Sequence, residues 1–162
     1  MLQDNPIRMQ FISLEPSAAR RLRLFRFKAG CLVNFAMDLE EVYMTTKLDG
    51  NATFFLPFNM GNGSGVTAGA GNPAYEDKYS VSYMWEDILS KDTVIDLISK
   101  FIFVESKEKV DDATGKIKRS ENLIFPRYHQ LDVIRKVLGD VRVNRTAQNY
   151  LIQHSAGSGK TN

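Results

Sequence analysis

The chain has 162 residues, 43% of them hydrophobic and 25% charged, with a formal net charge of +2. That balance fits a globular protein, leaves room for one medium domain or parts of two, and is too weakly basic to argue nucleic-acid binding by itself. No apolar run reaches the eighteen or so residues of a membrane span. The first residues lack the basic-then-apolar layout of a secretion signal, and the single cysteine, Cys31, has no partner for an internal disulfide and reads as buried filler beside an apolar run. The expected compartment is the cytoplasm.

Charge is uneven along the chain. Arg20, Arg21, Arg23, Arg26 and Lys28 interleave with Leu22, Leu24, Phe25 and Phe27, and a second basic cluster holds Lys116, Lys118 and Arg119. Either offers phosphate contacts, although solvated edges and linkers use such charges more often. Residues 24–58 predict a β-rich meander. Leu32–Met37 and Val42–Thr46 are the first two strands, with a turn over Asp38-Leu39-Glu40-Glu41. Asp49-Gly50-Asn51 makes the next turn, and Phe54–Phe58 is a third extended segment. Glu40 and Glu41 are adjacent and would face opposite sides of a strand, so they read as solvated turn residues and not as an acid/base pair.

Gly61 to Pro73 carries five glycines without lysine or a strand-to-helix pattern, which predicts a loop or extended connection and not a phosphate site. Ser80 to Phe103 reads as mostly helical, with Trp85 in a packed core and a second helix capped near Asp92 that spaces Val94, Leu97, Ile98 and Phe101. The charged stretch Glu105–Asn122, with Asp111-Asp112-Ala113-Thr114-Gly115, reads as a linker or hairpin tip and marks a domain boundary. Beyond it, Pro126 opens a helical pattern with Leu131, Ile134 and Leu138 at i, i+3 and i+7, and Gly139 is placed to end it.

The chemistry concentrates at the C-terminal end. Tyr150-Leu151-Ile152 reads as a buried strand leading into Gly157-Ser158-Gly159-Lys160-Thr161. Strand, glycine loop and Lys-Thr is the arrangement of a phosphate-binding loop. Backbone N–H groups wrap the phosphates, the Lys160 ammonium neutralises β/γ charge, and the Thr161 hydroxyl ligates magnesium. His154 stands where the strict eight-residue pattern has its first glycine, and its structural reading is a strand-end residue packed under the loop. Gln130 lies thirty residues before Lys160, in the first turn of a helix. Its paired donor and acceptor suit an adenine edge, the use made of a glutamine in this region by superfamily 2 helicases.

Several strings together resemble the restriction (R, or HsdR) subunit of type I restriction-modification enzymes. They are Leu32–Ala36 with Asp38, Glu41–Thr46, Leu56-Pro57-Phe58-Asn59, Gly69–Pro73, Tyr83-Met84-Trp85-Glu86, Ile124–Asp132 and Asn149–Lys160. The resemblance runs from about residue 24 to the end, and His154 fits it. It implies an α/β protein: the end of a restriction-nuclease-like mixed sheet over 1–58, a glycine-rich and helical connection over 59–122, and the first strand and P-loop of a RecA-like helicase domain over 123–162. It implies ATP and magnesium as cofactors, held by Gln130, Ala156, Gly157, Ser158, Gly159, Lys160 and Thr161, with Thr161 the metal ligand. It also implies double-stranded DNA and the methylation (M) and specificity (S) subunits as partners, and an enzyme that translocates duplex DNA with ATP and cleaves it. The nuclease carboxylates and lysine of this family have no counterpart in residues 1–30, and the later acidic magnesium motif would lie past Asn162. The chain is therefore expected to be a fragment inactive alone. The alternatives are a non-catalytic remnant or docking module, or a fragment of another superfamily 2 helicase.

Overall fold

The computed structural model describes residues 25–63, 69–111, 115–145 and 148–153. The first elements are β1 (Asn34–Met37), β2 (Val42–Thr45) and β3 (Leu56–Pro57). They form an antiparallel meander in the order β1-β2-β3, with Asn34 opposite Thr45, Met37 opposite Val42 and Met44 opposite Leu56. The β1–β2 turn is written into Asp38: its Oδ1 accepts from the N–H groups of Glu40 at 2.8 Å and Glu41 at 2.7 Å. A short aspartate side chain standing in for a backbone acceptor is the usual way such turns close. Pro57 removes an N–H donor, which an edge strand tolerates. Val42 and Met44 point from one face of β2 into the core.

After β3 the chain is tied back by two asparagines. Asn59 Oδ1 accepts from the Val42 N–H at 2.7 Å, and Asn72 Oδ1 accepts from the Met60 N–H at 2.8 Å. The Asn72 amide donates to the Glu40 carbonyl at 2.7 Å and to Asn59 Oδ1 at 3.0 Å. Between them the glycine-rich segment is paired at its base, Asn62 with Gly69 and the Gly61 N–H with the Gly71 carbonyl. Gly61 and Gly71 both sit at φ +90°, where a Cβ would be strained.

The helical connection is wound partly as wide π-type turns, Met84–Ile88 and Leu97–Phe101, on either side of α1 (Lys91–Asp96). Its cap is Ser90, whose hydroxyl accepts from the Thr93 N–H, close to Asp92 where the cap is expected. Trp85 is a correction. It is 51% exposed and meets Tyr79 edge-on at 6.4 Å, because the turn that buries Met84 and Ile88 directs Trp85 outward. Cys31 is only partly buried and not core filler.

The charged segment forms a hairpin, β4 (Phe103–Val110) with β5 (Ile117–Ile124), in register from Phe103–Ile124 to Val110–Ile117. β5 then returns to the core: Leu123, Phe125 and Pro126 are buried, and α2 (Tyr128–Asn144) follows. Phe125 and Leu131 belong to the same buried cluster as Val42, Met44, Phe58, Tyr83, Met84, Ile88 and Leu97. One apolar core thus draws on the meander, the helical connection and the start of α2.

Two further expectations are corrected here. Gly139 lies inside α2, and the helix ends instead at Arg145, which adopts the left-handed conformation at φ 50°. A single glycine costs a helix only about 1 kcal/mol relative to alanine, and i, i+4 contacts support the helix on either side of it, Asp132–Lys136 at 2.7 Å and Asp140–Asn144 at 2.6 Å. Tyr150-Leu151-Ile152 is not a buried strand: the three residues are 40%, 94% and 46% exposed and unpaired. A buried parallel strand needs a ladder neighbour, and both sheets among the described residues are antiparallel and do not reach it. The segment instead lies beside α2, with the Tyr150 hydroxyl donating to Asp140 Oδ2 at 2.6 Å. The chain is mixed α/β with small antiparallel sheets and few helices.

Candidate functional site

Of the residues expected to hold nucleotide, the structure describes Gln130; Ala156, Gly157, Ser158, Gly159, Lys160 and Thr161 lie outside the described residues, as does His154. Gln130 occupies the third position of α2. Pro126 cannot donate a hydrogen bond, Arg127 is extended at φ −73° and ψ 156°, and the helix begins at Tyr128. Gln130 Oε1 accepts from the Arg127 N–H at 2.9 Å. This is one half of a capping box. The reciprocal half is chemically closed, because a guanidinium offers no acceptor.

The turn that carries Gln130 is anchored on both flanks. Leu131, next in sequence, is 2% exposed in the core. Tyr128, one position before His129, meets Tyr83 at 5.1 Å and Phe58 at 5.9 Å between ring centroids, both edge to face. Phe58 in turn packs on Phe35 at 5.3 Å and Phe125 at 6.0 Å. The Tyr83 hydroxyl donates to the Phe58 carbonyl at 2.7 Å, which satisfies the one polar atom of a buried ring. Burial pushes the Tyr128 phenol up to about 12, with the neighbouring carboxylates of Asp132 and Asp87 adding to it. Burial raises Tyr83 further.

One turn on, Arg135 ties α2 to the helical connection. Its Nη1 donates to both carboxylate oxygens of Asp87, at 3.0 and 2.9 Å, and its Nη2 donates to Thr93 Oγ1 at 2.7 Å. The Thr93 hydroxyl donates onward to Asp87 Oδ1 at 3.0 Å, and Thr93 is buried. The guanidinium thus spans a carboxylate and the hydroxyl bonded to it, which fixes its direction as well as its distance. Sequence reading missed this clamp. Its members lie 42 and 48 residues apart, and no local spacing signals such a pairing.

The other sequence candidates scatter. Glu41 accepts from the Tyr43 hydroxyl at 2.8 Å on the β1–β2 turn, and burial first, then Glu41, raises that phenol to about 12. Lys28 pairs with Glu121, Lys118 with Asp111 and Arg119 with Glu108, each at 2.6 Å. Among the described residues no group of three His, Cys, Asp or Glu side chains is placed to hold a metal ion, and no helix is long and apolar enough to cross a membrane. No family model matches the chain, and neither a curated protein nor a solved structure matches it.

Proposed function

We propose that the chain is part of the R subunit of a type I restriction enzyme, spanning the end of the nuclease domain and the entry to its ATP-driven DNA motor. The observation that carries this reading is the string Asn149–Lys160 with Thr161, set thirty residues after Gln130 in a chain whose earlier strings resemble the same family. In this reading Gln130 recognises adenine, the loop Ala156–Lys160 wraps the phosphates and Thr161 ligates magnesium. The anchoring of the first turn of α2 supports the role of Gln130, since recognition of a base edge benefits from a side chain on a rigid element. Duplex DNA and the M and S subunits are the partners, and ATP hydrolysis drives translocation before cleavage.

Two substitutions in the intact subunit, assembled with its M and S partners, test the reading. Lys160→Ala removes the main cationic partner of the bound triphosphate, and we expect loss of ATP affinity and of translocation. Gln130→Glu keeps an acceptor for the Arg127 N–H but loses the amide donor. It should lower ATP affinity about tenfold, the worth of one hydrogen bond near 1.4 kcal/mol. Unchanged nucleotide binding in Lys160→Ala sinks the assignment.

A further inference from the structure

The β4–β5 hairpin is a ribbon of eight residue pairs, about 25 Å long at roughly 3.4 Å per residue. Apart from Glu105, Leu123 and Ile124, its strand residues are exposed. Side chains alternate between faces, and cross-strand partners share one. The register therefore puts Lys107, Lys109 and Lys118 on one face with Glu105, Ser120 and Asn122. Glu108, Arg119 and Glu121 fall on the other.

The two faces differ in the sign of their charge: Lys107, Lys109 and Lys118 outnumber Glu105 on the first, and Glu108 and Glu121 outnumber Arg119 on the second. On the second face the ions are neutralised within the fold, Arg119 by Glu108 and Glu121 by Lys28. On the first face Lys109 stands directly opposite Lys118, a like-charge pair that weakens a ladder. Lys118 is relieved by Asp111 and Lys107 by Glu105, whereas Lys109 has no ion pair among the described residues. Lys116, two residues before Lys118, has none among them either. The Lys109–Lys118 juxtaposition works against the ladder, and Lys109 and Lys116 keep their charge unneutralised by any ion pair among the described residues.

We propose that the Lys107–Lys109–Lys118 face of the hairpin is a duplex-DNA contact that lays its ammonium groups against backbone phosphates. The proposal rests on the DNA-motor reading above and assigns the surface through which the chain meets DNA. A two-stranded ribbon fits a major groove about 12 Å wide. Lysines act as point charges on phosphates and carry no sequence information, which suits a motor that must move over any sequence.

The test is the salt dependence of binding to a random-sequence duplex, read by fluorescence anisotropy with the full chain. The combined variant Lys107→Gln, Lys109→Gln, Lys118→Gln should flatten the slope of log K against log salt by about 2.7, or roughly 0.9 per phosphate released. Between 50 and 200 mM salt the unsubstituted chain should then lose about 40-fold more affinity than the variant. Glu108→Gln with Arg119→Gln, on the opposite face, should keep the original slope. If melting shows the triple variant unfolded, Lys109→Gln alone decides, with an expected change of about 0.9. An unchanged slope, an equal loss from the opposite face, or absence of duplex binding by the unsubstituted chain overturns the proposal. ATP binding measured on the same preparations separates the two ideas. A wild-type slope in the triple variant alongside loss of ATP in Lys160→Ala removes the hairpin assignment and keeps the motor; ATP binding indifferent to Lys160→Ala removes the motor reading itself.

Discussion

Phe58→Ala is expected to loosen the Gln130 turn from a distance of more than seventy residues in sequence. Phe58 is fully buried, and its ring touches three others, Phe35, Phe125 and Tyr128. Its backbone is also engaged, the N–H donating to the Val42 carbonyl at 2.8 Å and the carbonyl accepting from Tyr83. Truncation leaves those backbone bonds possible but opens a cavity where meander, helical connection and α2 converge. A phenylalanine-to-alanine change at such a site costs about 4 kcal/mol, against about 5–15 kcal/mol of total stability. Melting should fall by about 8–16 °C at roughly 2–4 °C per kcal/mol for a domain of this size. Phe58→Leu, which fills most of the space, should cost on the order of 1–2 kcal/mol. Hydrogen exchange locates the damage. Amides at Leu131–Arg135 should lose protection in step with those of β2, because Tyr128 and Leu131 lean on the same ring cluster. Protection of α2 that survives while β2 opens would refute the shared core.

Two other outcomes follow from the same geometry. A double-mutant cycle on Asp87→Ala and Arg135→Ala should return a coupling of about 1 kcal/mol, the upper end for partly exposed pairs and justified by the two-oxygen grip; thermal unfolding measures it, and a coupling indistinguishable from zero shows the clamp to be ornamental. For pH, burial holds the phenols of Tyr43 and Tyr128 protonated to about 12, and that of Tyr83 higher still. An unfolded tyrosine ionises near pH 10. The folded pKa is the raised one, so this contribution to stability is complete below about pH 10 and is lost as pH climbs toward and past 12. Absorbance titration at 295 nm should show native phenols lagging those of urea-unfolded chain, and superimposable curves would contradict the burial.

What could be read from the sequence was local in origin. The β1–β2 turn depends on Asp38 and its next three residues, and the start of α2 depends on Pro126 and the residues just after it. Both are short-range devices and both occur. β3 was legible as an extended segment because Phe54–Phe58 is apolar and proline-containing. The β4–β5 ladder was ambiguous for a physical reason. Both of its faces are largely exposed, so it lacks the apolar alternation that marks a half-buried strand, and its charges suit a linker equally well. The π-type turns left no trace in spacing. The end of α2 was misplaced because glycine is the usual left-handed cap, while here Arg145 takes that conformation. Tyr150-Leu151-Ile152 has the composition of a buried strand, but composition cannot supply a neighbour to pair with. At the candidate site, the place of Gln130 in the first turn of α2 was legible from Pro126 and the helical spacing after it. The aromatic cluster and the Asp87–Thr93–Arg135 clamp that hold it were not, since each joins residues far apart in the chain.

The clamp and the core together make α2 mechanically unequal along its length. Its first two turns hold Tyr128, Leu131 and Arg135, each engaged with another part of the fold. Beyond Arg135 no residue of the helix is buried; Leu138, Val141 and Val143 present 46%, 43% and 79% of their surface to solvent. That half is held by backbone bonds, by the Tyr150 hydroxyl on Asp140, and by i, i+4 contacts worth about 0.2–0.5 kcal/mol each. Helices in proteins owe most of their stability to a packed face, so opening must begin at Arg145 and travel toward Tyr128. Gln130 therefore sits on the turn that opens last. Fixed on that turn, its side chain keeps the direction set by the bond from the Arg127 N–H.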